Sequence, residues 1–170
     1  MTANAESGVG RRFLLRRLLG RGSFGEVYLA EQDSGSGFKR PVAIKLLNAH
    51  ASRSKEVSRR MRDEARLLGR ISSRFIVDVY DLVRLDDRWA VIMAYVPGTD
   101  LEAALKVLEG RGETFPGPAV FEVVEAVGRA LVAAWEATDE RGQPLRVVHR
   151  DLKPANVRLT PDGDLKVLDF

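Results

Sequence analysis

The first half of the chain alternates short apolar runs with glycine-rich turns, a pattern typical of antiparallel strands. Residues 13–19 are rich in leucine and lead directly into a turn that holds Gly20, Gly22 and Gly25. A second apolar run follows at 27–30. Two such runs joined by a short glycine turn predict a β-hairpin.

The same pattern predicts further strands. One covers 41–47, after a Ser-Gly loop, and two others cover about 75–85 and 89–96, joined by a turn at Asp86 and Asp87. Aspartate tolerates the backbone angles that tight turns need. Together these segments predict an antiparallel sheet.

A helix is predicted between the third and fourth strands. Residues 54–71 have helical spacing, and Ser54 is a suitable N-cap. The apolar stripe of this helix consists of Val57, Met61, Leu68 and Ile71. Glu64 falls inside that stripe, and a carboxylate on an inward face needs a cation to neutralise it. We therefore expect Glu64 to pair with a positive side chain.

The second half of the chain is predicted to be mostly helical. Pro97-Gly98 breaks the strand pattern, and helices are expected near 100–108 and 118–140. Apolar residues recur at helical spacing in the longer helix, which predicts a core face made of Phe121, Val124, Val127, Leu131 and Trp135. Residues 147–170 are expected to form loops and short strands.

These elements divide the chain into three parts. We expect a flexible tail at 1–12, an N-terminal lobe at 13–97 and a C-terminal lobe at 98–170. The predicted fold class is α+β: an antiparallel sheet with one main helix, followed by a mostly helical lobe.

Composition narrows the class of function only slightly. The sequence has 45% hydrophobic and 30% charged residues and a net charge of +3, which indicates a soluble globular protein. Basic residues are interleaved with acids, so nucleic-acid binding is not expected. There is no cysteine, and two histidines are too few for a His-rich metal site. No segment has the pattern of a membrane span or a signal peptide, so a cytoplasmic location is expected.

Two features of the N-terminal lobe indicate phosphate binding, although each alone has an ordinary explanation. Glycines let backbone amides approach phosphate oxygens with no Cβ in the way. Gly-x-Gly-x-x-Gly also marks dinucleotide-binding folds, but there a helix follows, and here a strand follows at 27–30. Lys45 lies in an apolar run, where a lone lysine would most often extend to water. With Glu64 on the next helix, the two charges can pair and leave the ammonium group to reach a phosphate.

The most specific segment is an ordered polar string in the C-terminal lobe. It runs His149-Arg150-Asp151-Leu152-Lys153-Pro154-Ala155-Asn156 and follows an apolar pair of valines. The composition is unremarkable for a loop, but these residues in this order have a very low probability of arising by chance. Further along, an apolar strand ends at Asp169, which by itself would be a turn residue more often than a ligand.

Taken in order, these motifs resemble the eukaryotic-type (Hanks-type) protein serine/threonine kinase family. They match its glycine-rich loop, strand lysine, helix glutamate, catalytic loop and metal-binding aspartate, and the resemblance covers residues 13–170. It implies a protein-kinase-like fold of two lobes. It also implies an enzyme that uses Mg²⁺ and transfers the γ-phosphate of ATP to Ser/Thr hydroxyls of protein substrates.

The resemblance implies roles for individual residues. Lys45, paired with Glu64, would hold the α- and β-phosphates, while Asp151 would accept the proton of the substrate hydroxyl. Lys153 would steady the transferred phosphoryl group, and Asn156 and Asp169 would bind Mg²⁺. The nucleotide would be contacted by Leu19, Gly20, Arg21, Gly22, Ser23, Phe24, Gly25, Glu26, Val27, Ala43, Lys45, Met93, Tyr95 and Val96. The hinge would lie at 93–96, with Met93 at the gatekeeper place, and would contact adenine through backbone groups.

Two features depart from the family pattern. Arg158 lies where family members often place an apolar residue beneath the adenine ring, and we expect its alkyl stem to cover the ring while its guanidinium reaches water. The sequence ends at Asp169-Phe170, one residue before the glycine with which the family motif continues. The resemblance therefore implies an incomplete domain that alone transfers little or no phosphate. It also implies that the helix at 118–140 leaves apolar surface exposed.

Two other functions stay open. One is a non-catalytic nucleotide-binding or scaffold module. The other is a kinase-like enzyme that phosphorylates a small molecule, against which Lys153 and Pro154 favour the protein branch of the family.

Overall fold

The computed structural model describes residues 2–4, 12–22, 25–35, 37–48, 56, 59, 65 and 67–170. The chain forms two compact units. The first consists of Met1–Gly69 and Val79–Tyr95, and the second consists of Arg70–Asp78 and Val96–Phe170.

The first unit is built on an antiparallel sheet of six strands in the order β1-β2-β3-β4-β6-β5. The strands are β1 (Thr2–Asn4), β2 (Arg12–Gly22), β3 (Gly25–Asp33), β4 (Lys39–Leu47), β5 (Val79–Leu85) and β6 (Arg88–Ala94). The predicted hairpins are confirmed. Asp86 and Asp87 both have positive φ, 44° and 63°, as a two-residue turn between twisted strands requires.

Two further sequence predictions concern the first unit. The tail that was predicted to be flexible contains the short strand β1, which pairs with the start of β2. Of the helix predicted at 54–71, residues 56, 59, 65, 67 and 68 are described, and all are helical. Ser54, Val57, Met61 and Glu64 lie outside the described residues.

One face of this sheet forms the main apolar core. Side chains alternate between the two faces of a strand, and directly opposed residues on neighbouring strands share a face. Ile44 of β4 lies opposite Tyr28 of β3 and Ile92 of β6, which places it on the core face. The buried core cluster consists of Phe13, Ala30, Val42, Ile44, Val83, Leu85, Ala90 and Ile92.

The second unit combines two helices with a small sheet. Its helices are α1 (Leu101–Gly110) and α2 (Gly117–Glu136), and its strands are β7 (Thr99–Asp100), β8 (Val157–Leu159) and β9 (Leu165–Val167), in the order β7-β8-β9. A short 3₁₀ turn covers Pro154–Asn156. Asp100 caps α1, because its Oδ1 accepts the N–H of Ala103 at 2.8 Å.

The predicted core face of the longer helix is wrong for three of its five members. Phe121, Val124 and Trp135 are 78%, 64% and 47% exposed. The fully buried stripe of α2 is instead Ala126, Ala130 and Ala134, since small side chains let the helix pack closely. The expectation that this helix leaves apolar surface exposed is confirmed. The helix also ends at Glu136 rather than near 140, where Ala137 adopts an extended backbone.

Residues 70–78 belong with the second unit, although the sequence suggested a continuous N-terminal lobe. Val167 of β9 donates its N–H to the Phe75 carbonyl at 2.7 Å and accepts the N–H of Val77 at 3.1 Å. The Lys166 Nζ donates to the Ile76 carbonyl at 3.0 Å. The strand predicted at 75–85 is therefore divided, and β5 begins only at Val79.

Candidate active site

The glycine hairpin joins the ends of β2 and β3. Gly25 has φ 155°, and a Cβ there would collide with the Leu46 carbonyl, so the fold itself requires glycine. At Gly20 and Gly22, a Cβ would meet no described atom within 4 Å. Packing among the described residues therefore does not explain these two glycines, which leave the backbone open to close approach. Ser23 and Phe24 lie outside the described residues.

Four predicted nucleotide contacts share the sheet face opposite the core cluster. Lys45 of β4 lies opposite Val27, and Ala43 lies opposite Met93. Since Ala43 and Lys45 are two residues apart, all four side chains project from one face. Lys45 is half-buried there. The predicted Lys45–Glu64 pair stays a prediction, because Glu64 is outside the described residues.

Arg21 and Glu26 tie the hairpin strands together. The Arg21 Nε lies 3.0 Å from Glu26 Oε1, and the Tyr28 hydroxyl donates to Glu26 Oε2 at 2.8 Å. The hydrogen bond to Glu26 raises the pKa of Tyr28, with smaller contributions from burial and from the carboxylate charge. These side chains engage each other, so they can orient the hairpin around its glycines. Leu19 lies in an irregular step of the ladder between Leu18 and Gly20.

The predicted hinge spans the point where the chain leaves the first unit. Met93 lies in β6, Tyr95 is the last residue of the first unit, and Val96 is the first residue of this stretch in the second. Tyr95 and Val96 are both half-buried. The carbonyl of Val96 accepts a hydrogen bond from Arg158.

His149 anchors the start of the catalytic-loop string. The ring is buried, 5% exposed, and packs against Phe170 with the centroids 4.6 Å apart. Its Nε2 lies 2.8 Å from the Leu168 carbonyl oxygen. Arg150 follows with φ 62°, a backbone angle that L-residues adopt at a cost and that recurs at functional sites. Asp151 lies on the exposed side of the loop, and its backbone N–H approaches His149 Nδ1 at 3.3 Å.

The Asp151 carboxylate is held by side chains that follow it in the string. The Lys153 Nζ donates to Asp151 Oδ2 at 2.7 Å, and the Asn156 Nδ2 lies 3.4 Å from the same oxygen. The hydrogen bond from Lys153 lowers the pKa of Asp151, and its charge and Asn156 act in the same direction. Reciprocally, the hydrogen bond to Asp151 raises the pKa of Lys153, and the charge of Asp169 adds to this effect. Asp151 is therefore an ionised acceptor at neutral pH.

Asn156 and Asp169 each offer an oxygen ligand of the kind predicted for Mg²⁺. The Asn156 amide nitrogen donates to the Asp151 carbonyl at 2.9 Å, so the amide oxygen is its remaining ligand atom. Asp169 offers a carboxylate from an exposed position with φ 57°. The Leu168 N–H donates to the Asn156 carbonyl at 2.8 Å, which links the two segments. Mg²⁺ prefers such oxygens, with water and phosphate completing its shell.

The expectation that the Arg158 guanidinium reaches water is wrong. Its Nε donates to the Val96 carbonyl at 3.3 Å, and its Nη2 donates to the Gly98 carbonyl at 2.7 Å. The Nη1 lies 3.9 Å from Asp100 Oδ2. Sequence reasoning missed these partners because they are about 60 residues away along the chain.

Comparison with known proteins identifies the family. The family profile described as the protein kinase domain matches residues 13–170, and the chain belongs to this family. The protein-kinase-like fold is thereby confirmed: an antiparallel sheet unit followed by a partial lobe with few helices.

The chain is similar to several bacterial kinases. It is 36% identical to the tyrosine-protein kinase MasK of Myxococcus xanthus, over 93% of this chain and 24% of that protein. It is 35% identical to the serine/threonine-protein kinase PknE of Mycobacterium tuberculosis, over 100% of this chain and 28% of that protein. The chain thus spans about a quarter of the length of these curated relatives.

Solved structures show the same likeness. A crystal structure of the Mycobacterium tuberculosis PknI kinase domain is similar with a TM-score of 0.72 and 31% identity, over 93% of this chain and 59% of that one. Separately, within the part of the chain that the structure describes, no helix has the length and apolar character needed to cross a membrane.

Proposed function

We propose that this chain is the ATP-binding and catalytic part of a protein kinase that transfers the γ-phosphoryl group of ATP to Ser/Thr hydroxyls of proteins. The observation that carries the proposal is the arrangement of the catalytic loop. An ionised Asp151 carboxylate lies 2.7 Å from the Lys153 ammonium and is also approached by the Asn156 amide. Phosphoryl transfer depends on positioning and charge neutralisation, and this loop supplies both.

The proposed roles follow from the chemistry of each group. The glycine hairpin gives backbone amides access to phosphate oxygens, and Lys45 supplies a positive charge to the α- and β-phosphates while paired with Glu64. Asn156 and Asp169 would hold Mg²⁺, which would supply positive charge to the phosphates. Lys153 stabilises the charge of the phosphoryl group during transfer.

Asp151 acts on the acceptor hydroxyl. As the hydroxyl oxygen forms its bond to the γ-phosphorus, the bond from that phosphorus to the bridging oxygen breaks and ADP leaves. The hydroxyl proton passes to Asp151. The lowered pKa of Asp151 suits a group that must be ionised before the hydroxyl arrives.

Lys153 supports Ser/Thr rather than Tyr hydroxyls as the acceptors. It lies two residues after Asp151, as in the serine/threonine branch that the sequence resembles. PknE carries a serine/threonine name, whereas MasK is named a tyrosine kinase. Phosphoamino-acid analysis of the products distinguishes the two: phosphoserine and phosphothreonine are expected, and phosphotyrosine alone would refute the Ser/Thr assignment.

The activity test uses Lys45→Met in the protein at its natural length. Loss of the ammonium should abolish transfer of labelled γ-phosphate to a protein substrate while the fold is retained. The matched control is Lys39→Met on the same strand, because Lys39 is exposed and pairs with Glu31 at 3.3 Å. Unchanged transfer by Lys45→Met would refute its role, and a wild-type protein that binds ATP without transferring phosphate would favour the scaffold alternative.

A further inference from the structure

Arg158 occupies a central place in the small sheet of the second unit. It lies on β8 directly opposite Asp100 of β7, and its side chain is only 22% exposed. The guanidinium donates to the carbonyls of Val96 and Gly98 and lies within ion-pair distance of Asp100. One side chain therefore holds the beginning, middle and end of the segment 96–100.

The same segment is held closely from other directions. Gly98 has φ 108°, and a Cβ there would collide with the Leu159 carbonyl, so the backbone lies directly against β8. Asp100 is fixed by its cap to Ala103. No side chain fits at position 98. The orientation of the Val96 and Gly98 carbonyls therefore depends on the N–H groups that donate to them.

Among the cationic side chains, only arginine has the geometry to donate to two separate carbonyls and a carboxylate at once. Its planar guanidinium presents several N–H groups in a fixed fork, whereas the lysine ammonium is a compact charge on a flexible stem. Arg158 uses Nε and Nη2 for two different carbonyls and directs Nη1 towards the carboxylate. Because the guanidinium faces these protein acceptors, it is unavailable as a free cation for phosphate.

We propose that Arg158 is a positioning residue for the nucleotide base: it fixes the backbone of Val96, and thereby the hinge geometry that the base meets. This proposal rests on the proposed function, in which Val96 contacts adenine through its backbone. Arg158 acts through the hinge, so its loss should affect recognition of the base and leave recognition of the phosphates intact.

The test compares two ligands by isothermal titration calorimetry with the protein at its natural length. One ligand is ATP with Mg²⁺, and the other is inorganic tripolyphosphate with Mg²⁺, which lacks the base. For Arg158→Leu, the Kd for ATP should rise about tenfold, the scale of one misplaced hydrogen bond. The Kd for tripolyphosphate should stay unchanged.

Further variants separate positioning from general structure. Arg158→Lys keeps the stem and the charge, so it tests the proposal even if the leucine variant fails to fold. Arg158→Lys should weaken ATP binding almost as much as Arg158→Leu does. Arg74→Leu removes an exposed ion pair with Asp164 in the same unit and should change neither Kd.

Each contrary outcome has a distinct meaning. An unchanged ATP affinity in both Arg158 variants, or equal weakening of ATP and tripolyphosphate, would overturn the positioning role. Lys45→Met should weaken both ligands in parallel, because it acts on phosphate. If the wild-type protein does not bind ATP, the proposed function fails, and the Arg158 proposal fails with it; an Arg158 failure alone leaves wild-type ATP binding and the Lys45 effect in place.

Discussion

The two units of the chain use their apolar residues differently. In the first unit, Ile44, Leu85 and Ile92 are almost completely buried and form one cluster on a single sheet face. In the second unit, the longer helix buries only alanines and leaves Phe121 and Val124 exposed. Burial of a large aliphatic side chain contributes about 1.5–3 kcal/mol, while an alanine contributes much less.

The difference lies in which elements supply the buried apolar side chains. In the second unit these are mainly residues of β8, β9 and the segment 71–77 rather than of the longer helix. The loop from His149 to Asn156 is in addition held by hydrogen bonds that connect His149 to Leu168, Asp151 to Asn156, and Asn156 to Leu168. In the first unit the apolar core supports the sheet that carries Lys45 on its opposite face.

The largest expected effect on stability comes from a substitution in the buried core cluster of the first unit. Ile44→Ala should lower the free energy of unfolding by about 2–5 kcal/mol, because the site is fully buried and a cavity remains. Urea denaturation of the chain measures this. Ile44→Val is the matched control and should cost about 0.5–1.5 kcal/mol. Equal, negligible costs would show that the sheet core is not what stabilises the first unit.

A smaller effect is expected on the exposed helix face. Phe121→Ala should change the free energy of unfolding of the 170-residue chain by no more than about 0.5 kcal/mol, because the ring has little contact to lose. The same denaturation experiment applies. If Phe121→Ala lowered the free energy of unfolding as much as Ile44→Ala, the contrast between the two units would be wrong, and this helix face would be covered in solution.

The smallest expected effect is a change in the pKa of the Asp151 carboxyl group. Lys153→Met should raise the pKa of Asp151 towards its ordinary value near 3.9, because the hydrogen bond that lowers it is lost. A depressed folded-state pKa stabilises the fold at pH above that ordinary value, and the contribution is lost as pH falls through the lower, folded-state pKa. Titration of the carboxyl carbon by NMR measures the change. An unchanged or lower pKa in the variant would contradict the pairing.

Local patterns predicted much of the fold and the candidate site. Glycine turns and apolar runs gave the hairpins, and the aspartate pair between β5 and β6 gave a turn that needs positive φ. The polar string from His149 to Asn156 located the catalytic loop because its residues interact with near neighbours. The position of Lys45 on a sheet face follows from simple alternation along β4.

Features that depend on contacts between distant parts of the chain were not predictable from the same patterns. Helical periodicity marks both the alanine stripe and the Phe121 stripe of α2, and only the packing partner decides which one is buried. The carbonyl partners of Arg158 and the attachment of residues 75–77 to β9 depend on contacts across many residues. Backbone carbonyls carry no sequence signal, so such hydrogen bonds are visible only in the fold.

The most direct test of the account is the effect of Asp151→Asn on two quantities measured together. Turnover by the protein at its natural length should fall about 10²–10⁴-fold, because the proton acceptor is lost, while the Kd for ATP with Mg²⁺ should stay within about twofold. Asp162→Asn, at an exposed turn, is the matched control and should change neither quantity. Undiminished turnover by Asp151→Asn, or loss of ATP binding in step with turnover, would contradict the assignment of Asp151 as the base.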